Sequence, residues 1–318
     1  MARTFIVFQS RYGSTEEAVR KMALVLGPAR YCRTTDFEMN YRDNYDFFVL
    51  GAGVYNEVID PRLSHFVTTN REWLSKKKVA LFATCLSGIR GLDYVAPLAR
   101  ILGNCVVATG MVDGRFKKDQ LTPEDYAIMK RFYETVKLPF QDTDRTNLPR
   151  LIDFCLKLKA IKDADYRAVP ADQLKTHIEE FLNSHNTCVL CTGSGDNVRS
   201  TPVTYKYHEG HLYIVSEGGR KFANILVNPN VSVTIHNESP SGKFARAGIQ
   251  LTGSVSVITP GHPELPEVFK IMGLSYERLN SLPWIMNGLK IKLSKAEFRW
   301  RGFDDLGYAR VQPYDFQV

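Results

Sequence analysis

Short apolar runs alternate with amphipathic segments through the first half of the chain. The runs are rich in β-branched and aromatic residues and predict buried strands. They span Thr4–Phe8, Ala29–Thr34, Asp46–Gly53, Lys78–Cys85 and Cys105–Gly110. Segments with helical spacing of apolar residues lie between or after them, at 16–23, 61–74, 94–102, 123–136 and 147–162. This alternation predicts an α/β fold, with an open, doubly wound sheet of parallel strands.

After residue 170 the pattern changes to one helix followed by short strands and turns. The helix is predicted at 171–184. The strands are predicted at 187–191, 199–207, 211–216, 231–236, 249–257 and 289–300, with a short helix at 220–227 and an inserted helical segment at 261–282. Many short strands with few helices predict an antiparallel β-barrel. The polar stretch 163–169 lies between the two patterns, so the predicted domains are residues 1–163 and 164–318.

Composition is that of an ordinary globular protein. Of the 318 residues 44% are hydrophobic and 24% are charged, and the formal net charge is +7. No basic run is longer than Lys76–Lys78, so nucleic-acid binding is not expected. No apolar run approaches the ~20 residues of a membrane span, and no signal-peptide pattern follows Met1. The sequence therefore predicts a cytoplasmic protein without a membrane span.

Cysteine and histidine positions predict no metal site. The six cysteines are scattered, which suits reduced thiols. Cys188 and Cys191 have the C-x-x-C spacing of a redox or zinc motif, but they lie in a strand-like run, where residues three apart point to opposite faces. Core packing is therefore the favoured interpretation of this pair. None of the seven histidines has the spacing of metal ligands.

Three loops at the carboxyl ends of the predicted parallel strands carry the candidate chemistry. Open parallel sheets bind ligands at this edge, and the loops are Ser10–Thr15, Gly51–Asn56 and Thr84–Gly88. The first loop leads into a helix, whose N-terminal N–H groups and dipole attract a phosphate, and Gly13 allows close approach or a positive φ. The alternative is an ordinary junction in which Ser14 or Thr15 caps the helix. The loop alone does not decide between the two.

These loops resemble the flavin loops of flavodoxins. Ser10–Thr15 is similar to the family's phosphate loop, T-x-T-G-x-T, with Tyr12 in place of a hydroxyl residue. Gly51–Tyr55 resembles the second flavin loop, and Thr84–Gly88 lies where the third would be. The resemblance covers about residues 3–160 and implies FMN as the cofactor. The implied flavin-binding residues are Ser10, Arg11, Tyr12, Gly13, Ser14, Thr15, Gly53, Tyr55, Thr84, Ser87 and Gly88.

Two further features refine the flavodoxin resemblance. Tyr55 is expected to stack on the isoalloxazine, with a role as a core aromatic as the alternative. The segment from Gly114 to Asp144 resembles the flavodoxin-like branch that includes menaquinone-linked protoporphyrinogen oxidase. The basic charge balance departs from small electron-carrier flavodoxins, which are typically acidic, and argues against a pure carrier role.

The second half resembles the pyridoxamine 5′-phosphate oxidase-like split barrels over about residues 171–260. The resemblance is carried by Arg199–Val203, Leu212–Ser216, Arg220–Ile225 and Asn228–Val231. It implies a homodimer with flavin at the subunit interface, and the FMN phosphate bound by Arg220 and Lys221. Further implied flavin neighbours are Arg199, Ser200, Thr201, Pro202, Val215 and Ser216. The alternative is that Arg220 and Lys221 are a solvated surface pair. No motif for vitamin B6 oxidation is carried over.

Together the two resemblances predict a cytoplasmic FMN-dependent oxidoreductase or electron-transfer flavoprotein with a flavin site in each domain. Its partners would be a small-molecule redox substrate or an electron donor such as NAD(P)H or a quinol. One alternative is a flavin- or ligand-binding sensor or scaffold without turnover. Another is an oxidoreductase related to tetrapyrroles, haem or protoporphyrin. The barrel residues do not distinguish FMN from a deazaflavin.

Overall fold

The computed structural model describes residues 2–86, 91–164 and 167–316. The chain divides into two compact units, Met1–Asp165 and Tyr166–Val318. Each unit has a sheet and a hydrophobic core of its own. Among the described residues, none of the helices is both long enough and apolar enough to cross a membrane.

The first unit is built from strands that alternate with helices. Its strands are β1 (Thr4–Gln9), β2 (Ala29–Arg33), β3 (Phe47–Tyr55), β4 (Val58–Ile59), β5 (Lys78–Cys85), β6 (Val106–Asp113), β7 (Arg115–Phe116) and β8 (Thr143–Asp144). Its helices are α1 (Ser14–Val25), α2 (Tyr41–Asn44), α3 (Pro61–Thr69), α4 (Arg71–Leu74), α5 (Ala96–Leu102), α6 (Pro123–Thr135) and α7 (Leu148–Asp163). The main strands are parallel in the order β2-β1-β3-β5-β6. This is a doubly wound sheet, as the alternation of strands and helices predicted.

Helices cover both faces of this sheet. Phe5 packs on one face in a core that includes Leu63 of α3. Ile6, its neighbour along β1, packs on the other face with Val19 of α1 and Leu158 of α7. Because both faces are buried, the strands read as continuous apolar runs rather than as alternating ones.

A buried lysine fastens the end of α7 to the end of α1. Lys162 is only 2% exposed, and its Nζ donates to the carbonyl oxygens of Leu26 at 2.8 Å and Gly27 at 3.0 Å. Burial lowers the pKa of Lys162, and the nearby charge of Asp163 partly opposes that shift. The carbonyls at the C-terminus of α1, the negative end of its dipole, compensate the buried ammonium.

The segment 61–74, predicted as one helix, forms two. Asn70 ends α3, where its side-chain amide donates to the carbonyl oxygen of Phe66 at 2.9 Å and accepts from the indole of Trp73 at 2.9 Å. Asparagine side chains bond to nearby backbone in this way and so compete with the helical ladder. The apolar periodicity continues across Asn70, which is why the pattern suggested a single helix.

The second unit is dominated by an antiparallel sheet. Its strands are β9 (Thr187–Ser194), β10 (Asn197–Thr204), β11 (Lys206–His208), β12 (His211–Ser216), β13 (Asn230–His236), β14 (Gly248–Ile258), β15 (Asn287–Arg299) and β16 (Val311–Asp315). Its helices are α8 (Ala171–Asn183), α9 (Arg220–Val227), α10 (Leu265–Ile271), α11 (Tyr276–Asn280) and α12 (Arg301–Asp305). The strand order is β10-β9-β13-β14-β15-β12-β11, and β16 pairs with β15. This curled sheet confirms the predicted split barrel.

Two local features shape the curled sheet. The ladder between β14 and β15 shifts register at Thr252 and Gly253, and a Cβ on Gly253 would lie 2.3 Å from the carbonyl oxygen of Lys292. The predicted strand 199–207 is broken at Tyr205, which is fully buried. The phenol of Tyr205 donates to the carbonyl oxygen of Leu182 at 2.8 Å, so tertiary packing overrides the local strand pattern.

The cysteine pair on β9 lies as expected for residues three apart in a strand. Cys188 is 5% exposed and belongs to the core of the second unit. Cys191 is partly exposed on the other face, with its Sγ 3.4 Å from the Ser200 hydroxyl. The two thiols therefore face different surroundings.

Candidate functional site

The loop between β1 and α1 leaves the N-terminus of α1 without a side-chain cap. Gly13 occupies the N-cap position with φ +82°, a backbone conformation that other residues rarely adopt. Its N–H donates to the Ser10 hydroxyl at 3.0 Å, and the Ser14 hydroxyl accepts from the backbone N–H of Arg115 at 3.1 Å. Ser14 therefore does not cap the helix. The first N–H groups of α1 stay available to an anion, as the phosphate-loop interpretation requires.

Tyr55, at the end of β3, contacts this loop directly. Its phenol oxygen accepts from the backbone N–H of Arg11 at 2.7 Å, and the Arg11 guanidinium lies 4.4 Å from the ring centroid. Burial raises the pKa of Tyr55. The residue lies outside the hydrophobic core clusters of its unit. A Cβ at Gly53 would lie 2.5 Å from the Tyr55 oxygen, so any other residue there would displace the Tyr55 ring.

The positive charge of Arg11 is already balanced by two carboxylates. Its guanidinium lies 3.2 Å from the Asp125 carboxylate and 3.8 Å from that of Asp60. Burial alone would raise the pKa of Asp60, but Arg62 and Arg11 together hold it below its ordinary value. The backbone and hydroxyl groups of the loop are therefore better placed than the Arg11 side chain to hold a phosphate.

Thr84 supplies a buried hydroxyl at the end of β5. The residue is 5% exposed, and its Oγ1 has no hydrogen-bond partner among the described residues. An unpaired buried hydroxyl is costly, so a ligand that bonds to Thr84 would be stabilised. The predicted site residues Ser87 and Gly88 lie outside the described residues.

The segment after β6, which includes β7 and α6, lies against the loop between β1 and α1. Asp125 of α6 accepts from the phenol of Tyr12, and Arg115 forms an ion pair with Glu17 of α1. Burial, followed by the Asp125 hydrogen bond, raises the pKa of Tyr12. None of the residues of α6 is fully buried. The segment therefore rests on the phosphate loop through polar contacts.

One cleft brings these residues together. Of the residues predicted from the sequence, Tyr12, Ser14, Thr15, Gly53, Tyr55 and Thr84 line it. The prediction missed the opposite wall, which comprises Arg115, Phe116, Leu121, Asp125, Ile128 and Met129. Asp125 is 113 positions from Tyr12, so no local spacing could have indicated the contact. Backbone donors at one end and apolar side chains along the wall suit the chemistry of a phosphate-bearing molecule with a flat apolar part. The cleft itself is about 100 Å³, smaller than the roughly 300–1,000 Å³ typical of small-molecule sites, so a ligand of that kind requires the walls to move apart.

The second unit holds a buried ammonium at the start of α9. Lys221 is 7% exposed, and its Nζ donates to the carbonyl oxygen of Gly218 at 2.7 Å. Burial lowers the pKa of Lys221, and the negative charge of Glu217 opposes that shift more strongly than the positive charge of Arg199 adds to it. An anion placed beside this buried ammonium would stabilise its charged form. Lys221 is therefore not part of a solvated surface pair, although Arg220 is exposed.

The other predicted barrel residues lie on β10 and at the end of β12. Arg199, Ser200 and Pro202 are exposed on β10, an edge strand of the sheet. Thr201 points inward, and its Oγ1 is buried without a hydrogen-bond partner among the described residues. Val215 and Ser216 end β12, where the Ser216 hydroxyl and the Gly218 N–H are 3.4 Å apart.

Asn224, which the sequence did not single out, fixes α9 against the sheet. The residue is 5% exposed. Its amide donates to Thr192 of β9, at 3.3 Å to the carbonyl oxygen and 3.2 Å to the hydroxyl. The short helix that carries Lys221 is therefore held in place by a buried hydrogen bond.

The fold and both sites point to two families joined in one chain. Residues 5–140 match the flavodoxin domain, and residues 174–278 match pyridoxamine 5′-phosphate oxidase. The chain thus combines a flavodoxin-like domain with a pyridoxamine 5′-phosphate oxidase-like domain, as the loop motifs predicted. The narrower resemblance to the protoporphyrinogen oxidase branch stays a prediction.

Several solved structures are similar to parts of the chain. ChuZ from Campylobacter jejuni is 18% identical, with 55% of this chain and 72% of that chain covered and a TM-score of 0.36. A nimc/nima family protein from Clostridium acetobutylicum is 22% identical, with 44% of this chain and 92% of that chain covered and a TM-score of 0.32. HutZ, a heme storage protein from Vibrio cholerae, is 21% identical, with 37% of this chain and 89% of that chain covered and a TM-score of 0.30. No curated protein sequence matches the chain.

Proposed function

We propose that the protein is an FMN-dependent oxidoreductase with one flavin site in each domain. The observation that carries the proposal is the buried Lys221 ammonium beside Arg199 at the start of α9, in a domain of a flavin-associated family. The buried ammonium donates to the carbonyl oxygen of Gly218, and a phosphate dianion would be a strong further partner for it. The open N-terminus of α1 supplies the corresponding feature in the first domain.

In the first domain, the N–H groups at the start of α1 bind the phosphate of FMN. Thr84 donates to a polar atom of the cofactor, Tyr55 lies beside its ring, and the α6 wall excludes water. Bound flavin supplies the hydride and electron transfer, while the protein positions it and adjusts its surroundings.

In the second domain, Lys221 and Arg220 bind the phosphate, and Arg199 lies where it can pair with the same charge. Ser200, Thr201 and Pro202 of β10, and Val215 and Ser216 of β12, would flank the flavin, as the family resemblance implies. The reductant is NAD(P)H or a quinol, and the substrate is a small redox-active molecule in the cytoplasm.

The exposed face around β10 and α9 supports a homodimer. Val198 is 82% exposed, and Leu226 and Val227 of α9 are 75% and 74% exposed. Apolar side chains this exposed favour burial against a partner. A second copy of the chain would cover them and enclose the flavin beside Arg199 and Pro202.

The test is a count of flavin per chain in the purified protein, by absorbance during analytical ultracentrifugation. Two FMN per chain in a sedimenting dimer, bleached anaerobically by NAD(P)H or a reduced quinone, is the expected result. Protein that takes up no flavin would contradict the proposal and favour a binding or scaffold role. A Soret band formed with added haem, in place of flavin uptake, would favour the tetrapyrrole alternative.

The affinity of the second domain for FMN is expected to fall at alkaline pH. Burial lowers the pKa of Lys221 in the free protein, whereas a bound phosphate raises it by stabilising the ammonium. Binding therefore takes up a proton above the lowered pKa, and affinity declines by up to about tenfold per pH unit there. Fluorescence titrations from neutral to alkaline pH measure this decline. In a Lys221→Met variant the affinity for FMN should no longer decline with pH. An equally steep decline in that variant would rule out Lys221 as the titrating group.

A further inference from the structure

The second unit contains another cavity, whose wall is made largely of arginine. Arg246, Arg299, Arg301 and Arg310 line a cavity of about 670 Å³ together with Asp304 and Asp305. The volume lies within the roughly 300–1,000 Å³ typical of small-molecule sites. Residues 166–318 contain eight arginines, so half of them converge on this one place. We call it the arginine cavity.

The arginine cavity lies at the opposite end of the sheet from Lys221. The long strand β15 begins at Asn287, which pairs with Ser216 beside the candidate flavin site. It ends at Arg299, which pairs with Gly248 and Val311 beside the cavity. Twelve residues separate these ends, which is roughly 40 Å along an extended strand. The cavity is therefore not part of the candidate flavin site.

The backbone around the arginine cavity is well fixed. The N–H of Arg246 donates to the carbonyl oxygen of Ser239 at 3.1 Å, inside a loop closed by a 2.9 Å bond from Asn237 to Ala247. Arg246 itself has φ +51°, a left-handed conformation that non-glycine residues seldom adopt. On the other side, the carbonyl oxygen of Arg310 accepts from Trp300 at 3.0 Å. The four arginine side chains project from this hydrogen-bonded backbone and are exposed to solvent.

The positive charge in the cavity is only partly balanced. Arg310 pairs with Asp304, with its Nε 2.6 Å from the carboxylate. Within residues 2–86, 91–164 and 167–316, no carboxylate lies within ion-pair distance of Arg246, Arg299 or Arg301. Guanidinium groups that share one cavity repel each other, and an anion bound among them removes that repulsion.

The kind of anion follows from the residues of the wall. Guanidinium groups match the geometry of phosphate oxygens and bind them in bidentate fashion. The carboxylates of Asp304 and Asp305 would repel an extended polyanion, but they accept hydrogen bonds from hydroxyl or amino groups. We propose that the arginine cavity binds a small phosphate monoester that also carries hydroxyl or amino groups, independently of the flavin.

The test uses the full chain loaded with FMN and then freed of unbound FMN by gel filtration, because excess FMN is itself a phosphate monoester and would compete for the arginine cavity. Adenosine 5′-monophosphate is the probe. Calorimetric titration is expected to show binding of the monophosphate and none of adenosine. The double variant Arg246→Gln/Arg299→Gln should weaken binding of the monophosphate at least tenfold. The Arg299→Lys variant keeps the positive charge but cannot form the bidentate guanidinium–phosphate contact, so it should weaken binding by a smaller factor. Arg278→Gln/Lys270→Gln removes the same charge elsewhere in the unit and should leave binding unchanged. Thermal melts establish that each variant is folded.

Four outcomes would overturn the proposal. The first three are equal binding, or equal lack of binding, of adenosine and its monophosphate, unchanged binding in the Arg246→Gln/Arg299→Gln variant, and equal weakening in the control variant. Tight binding of a single-stranded oligonucleotide that depends on the same two arginines, without binding of the monophosphate, would point to nucleic acid and also contradict it. These readouts compare variants of one protein, so they hold whether or not flavin binds, and failure of the flavin proposal would be seen separately in the flavin count.

Discussion

Replacing Lys221 with methionine is expected to lower the affinity of the second domain for FMN by about ten- to 100-fold. Charge-assisted hydrogen bonds contribute about 1.5–3 kcal/mol, and a tenfold change in affinity corresponds to about 1.4 kcal/mol. Lys221 is buried and already donates to Gly218, so no solvent-exposed side chain can replace it. Methionine has a similar length and fills the same space without a charge. Flavin fluorescence titration should then show one FMN per chain instead of two.

A stability measurement separates a phosphate-binding role of Lys221 from a structural one. Burial of a poorly paired ammonium is costly, so the flavin-free Lys221→Met protein should melt at the same temperature as the original protein or higher. Lys270→Met, at a lysine whose side chain is 79% exposed on α10, is the matched control and should change neither flavin binding nor melting. A lower melting temperature together with unchanged flavin affinity would show that Lys221 only supports the fold.

Replacing Tyr55 with alanine is expected to weaken flavin binding in the first domain by about ten- to 100-fold. Stacking of an aromatic side chain on a planar base contributes about 1–3 kcal/mol. The substitution also removes the 2.7 Å contact that orders the Arg11 N–H in the phosphate loop. Because the second proposed flavin site does not involve Tyr55, the loss should appear as one weakened phase of a two-phase titration.

Phenylalanine at position 55 separates these two contributions. Tyr55→Phe keeps the ring and loses only the hydroxyl that accepts from Arg11. A large loss in the alanine variant and a small one in the phenylalanine variant would assign the effect to stacking. Equal losses would assign it to the loop contact, and retained affinity in the alanine variant would exclude Tyr55 from the site.

The parallel strands of the first sheet could be predicted from the sequence. Because these strands are buried on both faces, they consist of continuous apolar runs. The run Lys78–Cys85 matches β5 at both ends, and His211–Ser216 and Arg220–Val227 match β12 and α9. Once the strands are in order, sheet topology places the loops that follow them at one edge. Much of the candidate site in the first domain was therefore predictable as a set of loops.

Contacts between residues far apart in the sequence could not be predicted from the sequence pattern. Asp125 contacts Tyr12 from a helix with no buried residue, and neither residue carries a signal of the contact in its local pattern. The burial of Lys221 was also hidden, because Arg220 and Lys221 are adjacent charged residues and only the turn at Gly218 decides which one points inward. Tyr205 shows the same limit, since its buried hydrogen bond to Leu182 breaks a strand that alternation alone would continue.

The buried hydrogen bonds from Lys162 to the end of α1 determine how long a fragment must be to contain the complete first domain. The family match ends at residue 140, before α7 begins. A protein cut there would expose the surface that Leu151, Cys155 and Leu158 cover, and the carbonyls of Leu26 and Gly27 would lose their ammonium partner. Autonomous folding of this domain therefore requires the chain to continue to about Asp163, some twenty residues beyond the matched region.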